Sequence, residues 1–284
     1  MRYISAMNNL KGEVLVSDYF MKRPVHVEND IMKKWEPSVV HENAFTLDET
    51  KELINIFKKA PKTTNMTEQN KMFDDFLNKD STPGVKIPRP KAGEASTACS
   101  APVCWDEGAS EILHPILTKC IGNYKIVGGT FNLTMGPYRL HTDSGRFEDS
   151  RIYKQIIIPL FWDKSLPVYS ILYDQRWTGC QARFQRGVAS NSDEKFTTPT
   201  HMTITDYENS PIYNLTAEPF DKSDYENYVS HINYESLWGF SIELAAKWTP
   251  QSLISYDRCV IHSSCHFAKQ ELKNKLFLTL VTES

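Results

Sequence analysis

Hydrophobic and polar residues alternate most clearly in the second part of the chain, from about Tyr124 onward. The runs "YKIVGGTFNLTMG", "YKQIIIPLFW", "YSILYDQRW" and "KLFLTLVT" are rich in β-branched and aromatic residues, and turn residues separate most of them. Short runs of this kind are typical of the strands of an antiparallel sandwich or barrel. We therefore predict that the second part of the chain is a β-structure.

The first part of the chain has a different pattern, with two predicted helices. In "TLDETKELINIFKKAPK" a capping box is formed by Thr46 and Glu49, and Pro61 ends the apolar stripe that follows. A second helix is predicted over residues 109–121, although it contains Pro115. We expect these helices to pack on one face of the sheet.

These patterns favour a single domain over residues 1–284. Residues 1–123 form a helical and irregular N-terminal region, and residues 124–284 form the β-core. Between about residues 175 and 235 the chain turns polar, and we interpret this stretch as an insertion between strands of the core. The predicted fold class is mainly β with flanking helices.

Composition narrows the range of partners. The chain is 40% hydrophobic and 24% charged, has a formal net charge of −3 and contains no block of Lys and Arg. These values are ordinary for a globular protein and do not favour binding to nucleic acid or to an anionic membrane surface. There is no apolar run of the roughly 18 to 20 residues that a membrane span needs, and no secretory signal pattern. We expect a cytoplasmic protein.

The candidate chemistry begins in the stretch "YRLHTDSGR", which contains His141 and Asp143. On a strand, residues two apart project to the same side, so both side chains reach one space, with Arg139 behind them. A second histidine, His262, lies in "SLISYDRCVIHSSCHF", which we interpret as one strand. Two imidazoles and one carboxylate form the facial triad that binds non-haem Fe(II) and leaves coordination positions open.

Other interpretations of these residues are open at this stage. His141 and Asp143 are also compatible with a surface pair on an edge strand, and His262 with a core histidine bonded to a carbonyl oxygen. For the distal ligand, His266 and His231 are the alternatives.

In this order, an HxD pair, a distant histidine and a basic residue at the start of a last strand, the sequence resembles the Fe(II)/2-oxoglutarate-dependent oxygenases. The resemblance covers about residues 124–284. It implies a double-stranded β-helix, also called a jelly roll, with Fe(II) held by His141, Asp143 and His262. It also implies 2-oxoglutarate as cosubstrate and dioxygen as oxidant, giving succinate, CO2 and an oxidised substrate.

The resemblance further implies a cation for the distal carboxylate of 2-oxoglutarate. In "KNKLFLTLVTES" we favour Lys275, which is 13 residues past His262, with the hydroxyl of Thr279 as its partner. Lys273 on the same face is a second candidate. Lys154, 13 residues after His141, is the rival on another strand.

The expected function is oxidation of a small polar molecule, such as an amino acid or a natural-product intermediate, by hydroxylation, desaturation or cyclisation. Arg139, Arg146 and Arg258 are candidates for binding an acidic group of the substrate, with ion-pair or surface roles as the alternative. A protein hydroxylase and a non-catalytic cupin-like binding module are the competing functions. Neither the substrate nor the oligomeric state follows from the sequence.

Overall fold

The computed structural model describes residues 36–60, 97–103, 108–142, 152–163, 165–177, 182–185, 199–201, 212–270, 272 and 274–283. Its strands are β1 Val39–His41, β2 Thr97–Pro102, β3 Lys125–Thr134, β4 His141–Thr142, β5 Ile152–Phe161, β6 Tyr169–Trp177, β7 Ala182–Gln185, β8 Pro199–His201, β9 Ile212–Tyr213, β10 Ile242–Lys247, β11 Leu253–Asp257, β12 Val260–Ser264 and β13 Lys275–Glu283. Its α-helices are α1 Leu47–Lys59, α2 Ala109–Ile121 and the single turn α3 Lys222–Asp224. None of the described helices has the length and apolar character of a membrane span.

The strands form two sheets that face each other. Sheet 1 has the order β1-β11-β5-β13-β3-β2, and sheet 2 has the order β10-β6-β12-β4-β7-β8, with β9 beside β6. From β3 to β6 and again from β10 to β13, successive strands lie alternately in sheet 1 and sheet 2. This winding is a double-stranded β-helix, so the predicted fold class is confirmed.

Helices α1 and α2 cover the outer face of sheet 1. The predicted capping box of α1 is present, since the Thr46 side chain accepts from the Glu49 backbone and the Glu49 carboxylate accepts from the Thr46 backbone. The two helices and the outward-facing side chains of the sheet form one apolar cluster that includes Phe57, Leu117 and Leu278. Burial of this cluster fixes which face of β13 points outward, and so which face points to the space between the sheets.

The sequence pattern suggested that the run "SLISYDRCVIH" is a single strand. The structure shows two strands instead. β11 belongs to sheet 1 and β12 to sheet 2, and the chain turns the corner at Arg258 and Cys259. Alternation alone did not show this turn, because the residues of both strands are buried throughout and no exposed segment separates them. Tyr256 and His262 still meet, with ring centroids 5.1 Å apart, because both face the space between the sheets.

The segment between β6 and β10 has more regular structure than the polar sequence suggested. After β7, β8 and β9 it contains α3, a π-helical turn at Tyr225–Val229 and a 3-10 turn at Tyr234–Leu237. Its apolar side chains pack on the outer face of sheet 2, where the Tyr173 ring lies 6.2 Å from Phe220 and 5.7 Å from Phe240. The sequence predicted an insertion over about residues 175–235. In the structure, the name insertion refers to the continuously described residues 212–240.

The segment before β1 ties the edges of the two sheets together. The backbone N–H of Glu36 donates to Asp257 at the end of β11, and that of Ser38 donates to Glu243 on β10. Each acceptor also forms an ion pair with a buried base, Asp257 with Lys154 at 2.9 Å and Glu243 with Arg176. The cost of desolvating Lys154 and Arg176 is thus offset by two carboxylates that also accept hydrogen bonds from the backbone before β1.

We expect Asp257→Ala to lower the free energy of unfolding by about 3 kcal/mol, because it leaves the Lys154 ammonium buried without its main partner. Urea unfolding followed by tryptophan fluorescence measures this change. Glu36→Gln is the control, since that carboxylate is 60% exposed and its pairing with Lys154 is screened by water. Equal losses in the two variants would contradict the interpretation.

Candidate metal centre

His141 and His262 lie directly opposite each other on neighbouring strands. β12 pairs antiparallel with β4, and the two histidines are partners in that register. Their ring centroids are 4.2 Å apart, and both residues are buried, with 7% and 4% of their surface exposed. Two residues separated by 120 others in the sequence are thus brought together by one strand pair.

The two rings are held by the same kind of hydrogen bond. Nδ1 of His141 lies 2.6 Å from the carbonyl oxygen of Arg139, and Nδ1 of His262 lies 3.1 Å from that of Val260. Because a carbonyl oxygen only accepts, Nδ1 carries the proton in each neutral ring and Nε2 carries the lone pair. Metal-binding histidines are commonly held in this way, with the second nitrogen donating to a carbonyl or carboxylate.

Aromatic rings form the walls on both sides of the pair. Tyr138 makes an edge contact with His141 at 4.2 Å between centroids, and Tyr256 lies beside His262. The hydroxyl oxygen of Thr142 is buried next to the pair, and no described group bonds to it. The histidines are therefore fixed in a mainly dry environment, which strengthens electrostatic interactions there.

The third predicted ligand, Asp143, lies outside the described residues, as does Arg146. Within the part of the chain that the structure describes, no three His, Cys, Asp or Glu side chains form a group that could hold a metal ion. The assignment of Asp143 as the carboxylate ligand therefore stays a prediction. It places that carboxylate two residues after a histidine whose position is known.

The alternative histidines form a pair of their own. His231 and His266 have ring centroids 5.3 Å apart. Nδ1 of His266 is bonded to the Ser230 hydroxyl at 2.8 Å, and Nε2 of His231 is bonded to the Tyr138 carbonyl at 3.1 Å. The direct contact between His141 and His262 favours His262 as the distal ligand.

Lys275 lies at the start of β13, buried between the sheets with 3% of its surface exposed. Its ammonium nitrogen is 4.3 Å from the ring centroid of Trp248, 4.8 Å from that of Phe267 and 5.6 Å from that of Phe277. No carboxylate or carbonyl of the described residues bonds to it. Burial lowers the pKa of Lys275 to about 8, since desolvation disfavours the charged form. We call this aromatic enclosure the lysine chamber.

The lysine chamber is close to the histidine pair. Leu172 on β6 is the register partner of His262, and Ser170, two residues away on the same face, accepts a hydrogen bond from the Trp248 indole at 2.9 Å. Two residues along a strand span about 7 Å. The Trp248 ring in turn lies against Lys275, so Ser170 and Trp248 connect the strand beside His262 to the lysine chamber.

The other predicted partners of the cosubstrate are placed differently. The Thr279 hydroxyl already donates to the Thr130 carbonyl and accepts from the Asn132 amide, and it is four residues, about 14 Å, along β13 from Lys275. Thr134 is the register partner of Lys275, and its buried hydroxyl has no partner among the described groups. Sequence spacing missed Thr134 because it lies on β3, far away in the chain.

Lys154 is the less suitable anchor. It is buried at the opposite end of sheet 1 and is neutralised by Asp257 and Glu36. These carboxylates outweigh burial and raise the pKa of Lys154. Lys273 lies outside the described residues.

Two of the three arginines predicted to bind the substrate, Arg139 and Arg258, are among the described residues. Arg139 is half-buried and precedes His141 by two residues, so its carbonyl orients that ring. Arg258 is buried at the corner between β11 and β12, four residues before His262. Their roles in binding a substrate stay predictions.

Comparison with known proteins gives structural likeness only. No family model and no curated protein matches the chain. Among solved structures, the non-haem alpha-ketoglutarate-dependent carbocyclase SnoK from nogalamycin biosynthesis aligns with 88% of this chain and 81% of its own, at 10% identity and a TM-score of 0.43. HygX from Streptomyces hygroscopicus, solved with nickel, 2-oxoglutarate and hygromycin B, aligns with 90% and 86%, at 10% identity and a TM-score of 0.42.

A third similar structure is EctD from S. alaskensis with bound Fe, which aligns with 88% of this chain and 73% of its own, at 13% identity and a TM-score of 0.38. At these TM-scores and identities, the similarity is limited to the general path of the backbone. The pairing of His141 with His262 is a feature of the structure itself, and a metal ion at this pair stays a prediction.

We expect His141→Ala and His262→Ala each to weaken binding of Co(II), used as an oxygen-stable substitute for Fe(II), by at least about a hundredfold. Each variant removes one imidazole ligand, and the register of β4 with β12 makes both necessary. Isothermal titration calorimetry measures the affinity. His114→Ala, on the exposed side of α2, is the control and should bind as the wild type does. Unchanged affinity in either site variant would remove that histidine from the site.

Proposed function

We propose that this protein is an Fe(II)/2-oxoglutarate-dependent oxygenase that oxidises a small polar molecule. The observation that carries the proposal is the register of His141 with His262, with each Nδ1 donating to a carbonyl and each Nε2 carrying the lone pair. A core histidine bonded to a carbonyl needs no second imidazole against its ring. Two imidazoles held by the same kind of hydrogen bond, beside a predicted carboxylate, match the donor set of a non-haem iron site.

The residues present fit the metal and the cosubstrate. His141, His262 and Asp143 would hold Fe(II), and Lys275 with Thr134 would bind the distal carboxylate of 2-oxoglutarate. When bound, Fe(II) with 2-oxoglutarate and dioxygen supplies the oxidant for an unactivated C–H bond, with release of succinate and CO2. The protein contributes the ligand geometry and a water-poor space between the sheets.

Lys275 is suited to an anionic ligand because its charge is buried without a counterion among the described residues. The aromatic rings around it attract the cation, yet they replace only part of the hydration that it has lost. A carboxylate that enters the lysine chamber gains an ion pair in a medium of low dielectric constant. A lysine is a point charge, so the Thr134 hydroxyl is the group that adds direction to the contact.

The proposed substrate is an amino acid or a natural-product intermediate, oxidised by hydroxylation, desaturation or cyclisation. Arg139, Arg146 and Arg258 supply positive charge for an acidic group. Nothing in the composition favours a nucleic acid or a membrane as partner, and we keep the cytoplasmic location as an expectation.

The decisive experiment is the formation of succinate from 2-oxoglutarate by the protein loaded with Fe(II) under air. We expect slow succinate release without a substrate, faster release with the right small molecule, and loss of both in His141→Ala and in Asp143→Ala. Circular dichroism confirms that the variants are folded. A cupin-like binding module gives no succinate under any condition, and turnover that persists in both variants refutes the metal assignment.

The affinity for 2-oxoglutarate should fall as the pH rises. The pKa of Lys275 is about 8, so the ammonium is charged at pH 7 and mostly neutral at pH 9, and a carboxylate then loses its counterion. If only the protein with a protonated Lys275 binds 2-oxoglutarate, the dissociation constant for 2-oxoglutarate rises about tenfold between pH 7 and pH 9. Calorimetry of the Co(II)-loaded protein measures it.

Lys275→Arg is the matched control, because a guanidinium stays charged over this range and its affinity should stay nearly flat. Lys154→Met should leave the pH dependence as in the wild type. A wild-type affinity that does not change between pH 7 and pH 9 would contradict the role of Lys275.

A further inference from the structure

The insertion carries a half-buried imidazole, that of His231, which the proposed chemistry does not use. His231 follows the π-helical turn and is flanked by Val229 and Ile232, which are 0% and 6% exposed and belong to the apolar cluster on sheet 2. The Ile232 backbone N–H donates to the Val229 carbonyl at 2.9 Å. His231 therefore lies in a turn that is closed by a backbone hydrogen bond and packed against sheet 2.

This imidazole meets the segment that leads into the first metal ligand. Its Nε2 lies 3.1 Å from the Tyr138 carbonyl oxygen, which also accepts the Ser264 backbone N–H at 3.2 Å. The Tyr138 ring then makes the edge contact with the His141 ring. His231 thus reaches His141 through a single intervening residue.

The ring of His231 is neutral and has a defined tautomer. Burial is the main reason that the pKa of His231 falls to about 3, and the charges of Lys275 and Arg139 and the neighbouring His266 lower it further. Donation to a carbonyl places the proton on Nε2, so Nδ1 is an acceptor. Nδ1 is buried, and no described group bonds to it.

Burying an imidazole with one unsatisfied nitrogen costs free energy that a leucine of similar volume would not cost. The Tyr138 carbonyl would still have the Ser264 N–H as a donor without it. A leucine cannot donate a hydrogen bond. His231 adds one to those that the Tyr138 carbonyl accepts from the Ser264 N–H and hydroxyl, and it does so from the side of the insertion.

We propose that His231 is a positioning residue of the metal centre: through Tyr138 it holds the backbone that orients His141, so the insertion is a structural part of the site. This inference rests on the proposed metal site at His141 and His262. It assigns to His231 a role other than the ligand role that the sequence left open.

The test compares Co(II) binding to the full-length wild type, His231→Leu, His231→Gln and His266→Leu. We expect His231→Leu to weaken Co(II) affinity by about threefold to tenfold, somewhat less than the loss seen when the direct partner of a ligand is removed. It should also shift the visible absorption bands of the bound Co(II), which report ligand geometry. His231→Gln keeps an N–H donor for the Tyr138 carbonyl and should restore both.

His266→Leu is the matched control, because this histidine touches His231 and bonds to Ser230 but has no bond to Tyr138. It should leave affinity and spectrum unchanged. Since His231 is neutral throughout, the ratio of affinities between wild type and His231→Leu should be the same at pH 6.5 and pH 8.5. A ratio that changes with pH would indicate a titrating role and overturn positioning.

Each remaining result decides the matter. Wild-type affinity and spectrum in His231→Leu, or equal weakening in His266→Leu, overturn the inference while leaving the metal site in place. If the wild type binds no Co(II), or if His141→Ala binds Co(II) as tightly as the wild type does, the proposed function and this inference are both refuted.

Discussion

The register between β4 and β12 is the constraint on which the site depends. The side chains of a strand alternate between its faces, so a slip of one residue would turn His141 away from His262 and toward the other side of sheet 2. β4 is only two residues long and has little pairing of its own with which to resist a slip. Contacts on either side supply the missing specification, including the Phe184 N–H to the Leu140 carbonyl and the Ser264 N–H to the Tyr138 carbonyl.

Two lysines of sheet 1 are buried in the described part of the chain, and their surroundings are opposite in kind. Lys154, at one end of sheet 1, has carboxylates as partners and helps to hold the edge of the fold. Lys275, at the other end, has aromatic rings around it and a lowered pKa. An arrangement that leaves one charge without a counterion is costly for stability, and it is common where a ligand completes the site.

Local signals in the sequence predicted the local structure well. The Thr46 capping box, the bounds of α2 and the β-rich core from residue 124 depend on neighbours within a few positions, and all are found. The proximity of His141 and His262 could be predicted from the sequence, because the HxD pair left only a few histidines as candidates for its partner. Asp143 is outside the described residues, so the carboxylate of the triad stays a prediction.

What the sequence did not predict depends on contacts between distant segments. The strands on both sides of the corner at Arg258 and Cys259 are buried throughout, so periodicity had no signal for it. The hydroxyl beside Lys275 comes from Thr134, across a strand pair, whereas spacing along β13 suggested Thr279. His231 had the appearance of a spare ligand, because nothing local shows that its turn packs against Tyr138.

The shortness of β4 has a consequence for how the protein responds to loss of its ligand. A two-residue strand contributes few backbone hydrogen bonds, so its local opening free energy depends largely on what its side chains bind. A metal ion coordinated by His141 would add its binding free energy to that small value. Amide hydrogen exchange in β4 would accordingly track metal occupancy, while the long ladder between β13 and β3 keeps the same protection in both forms.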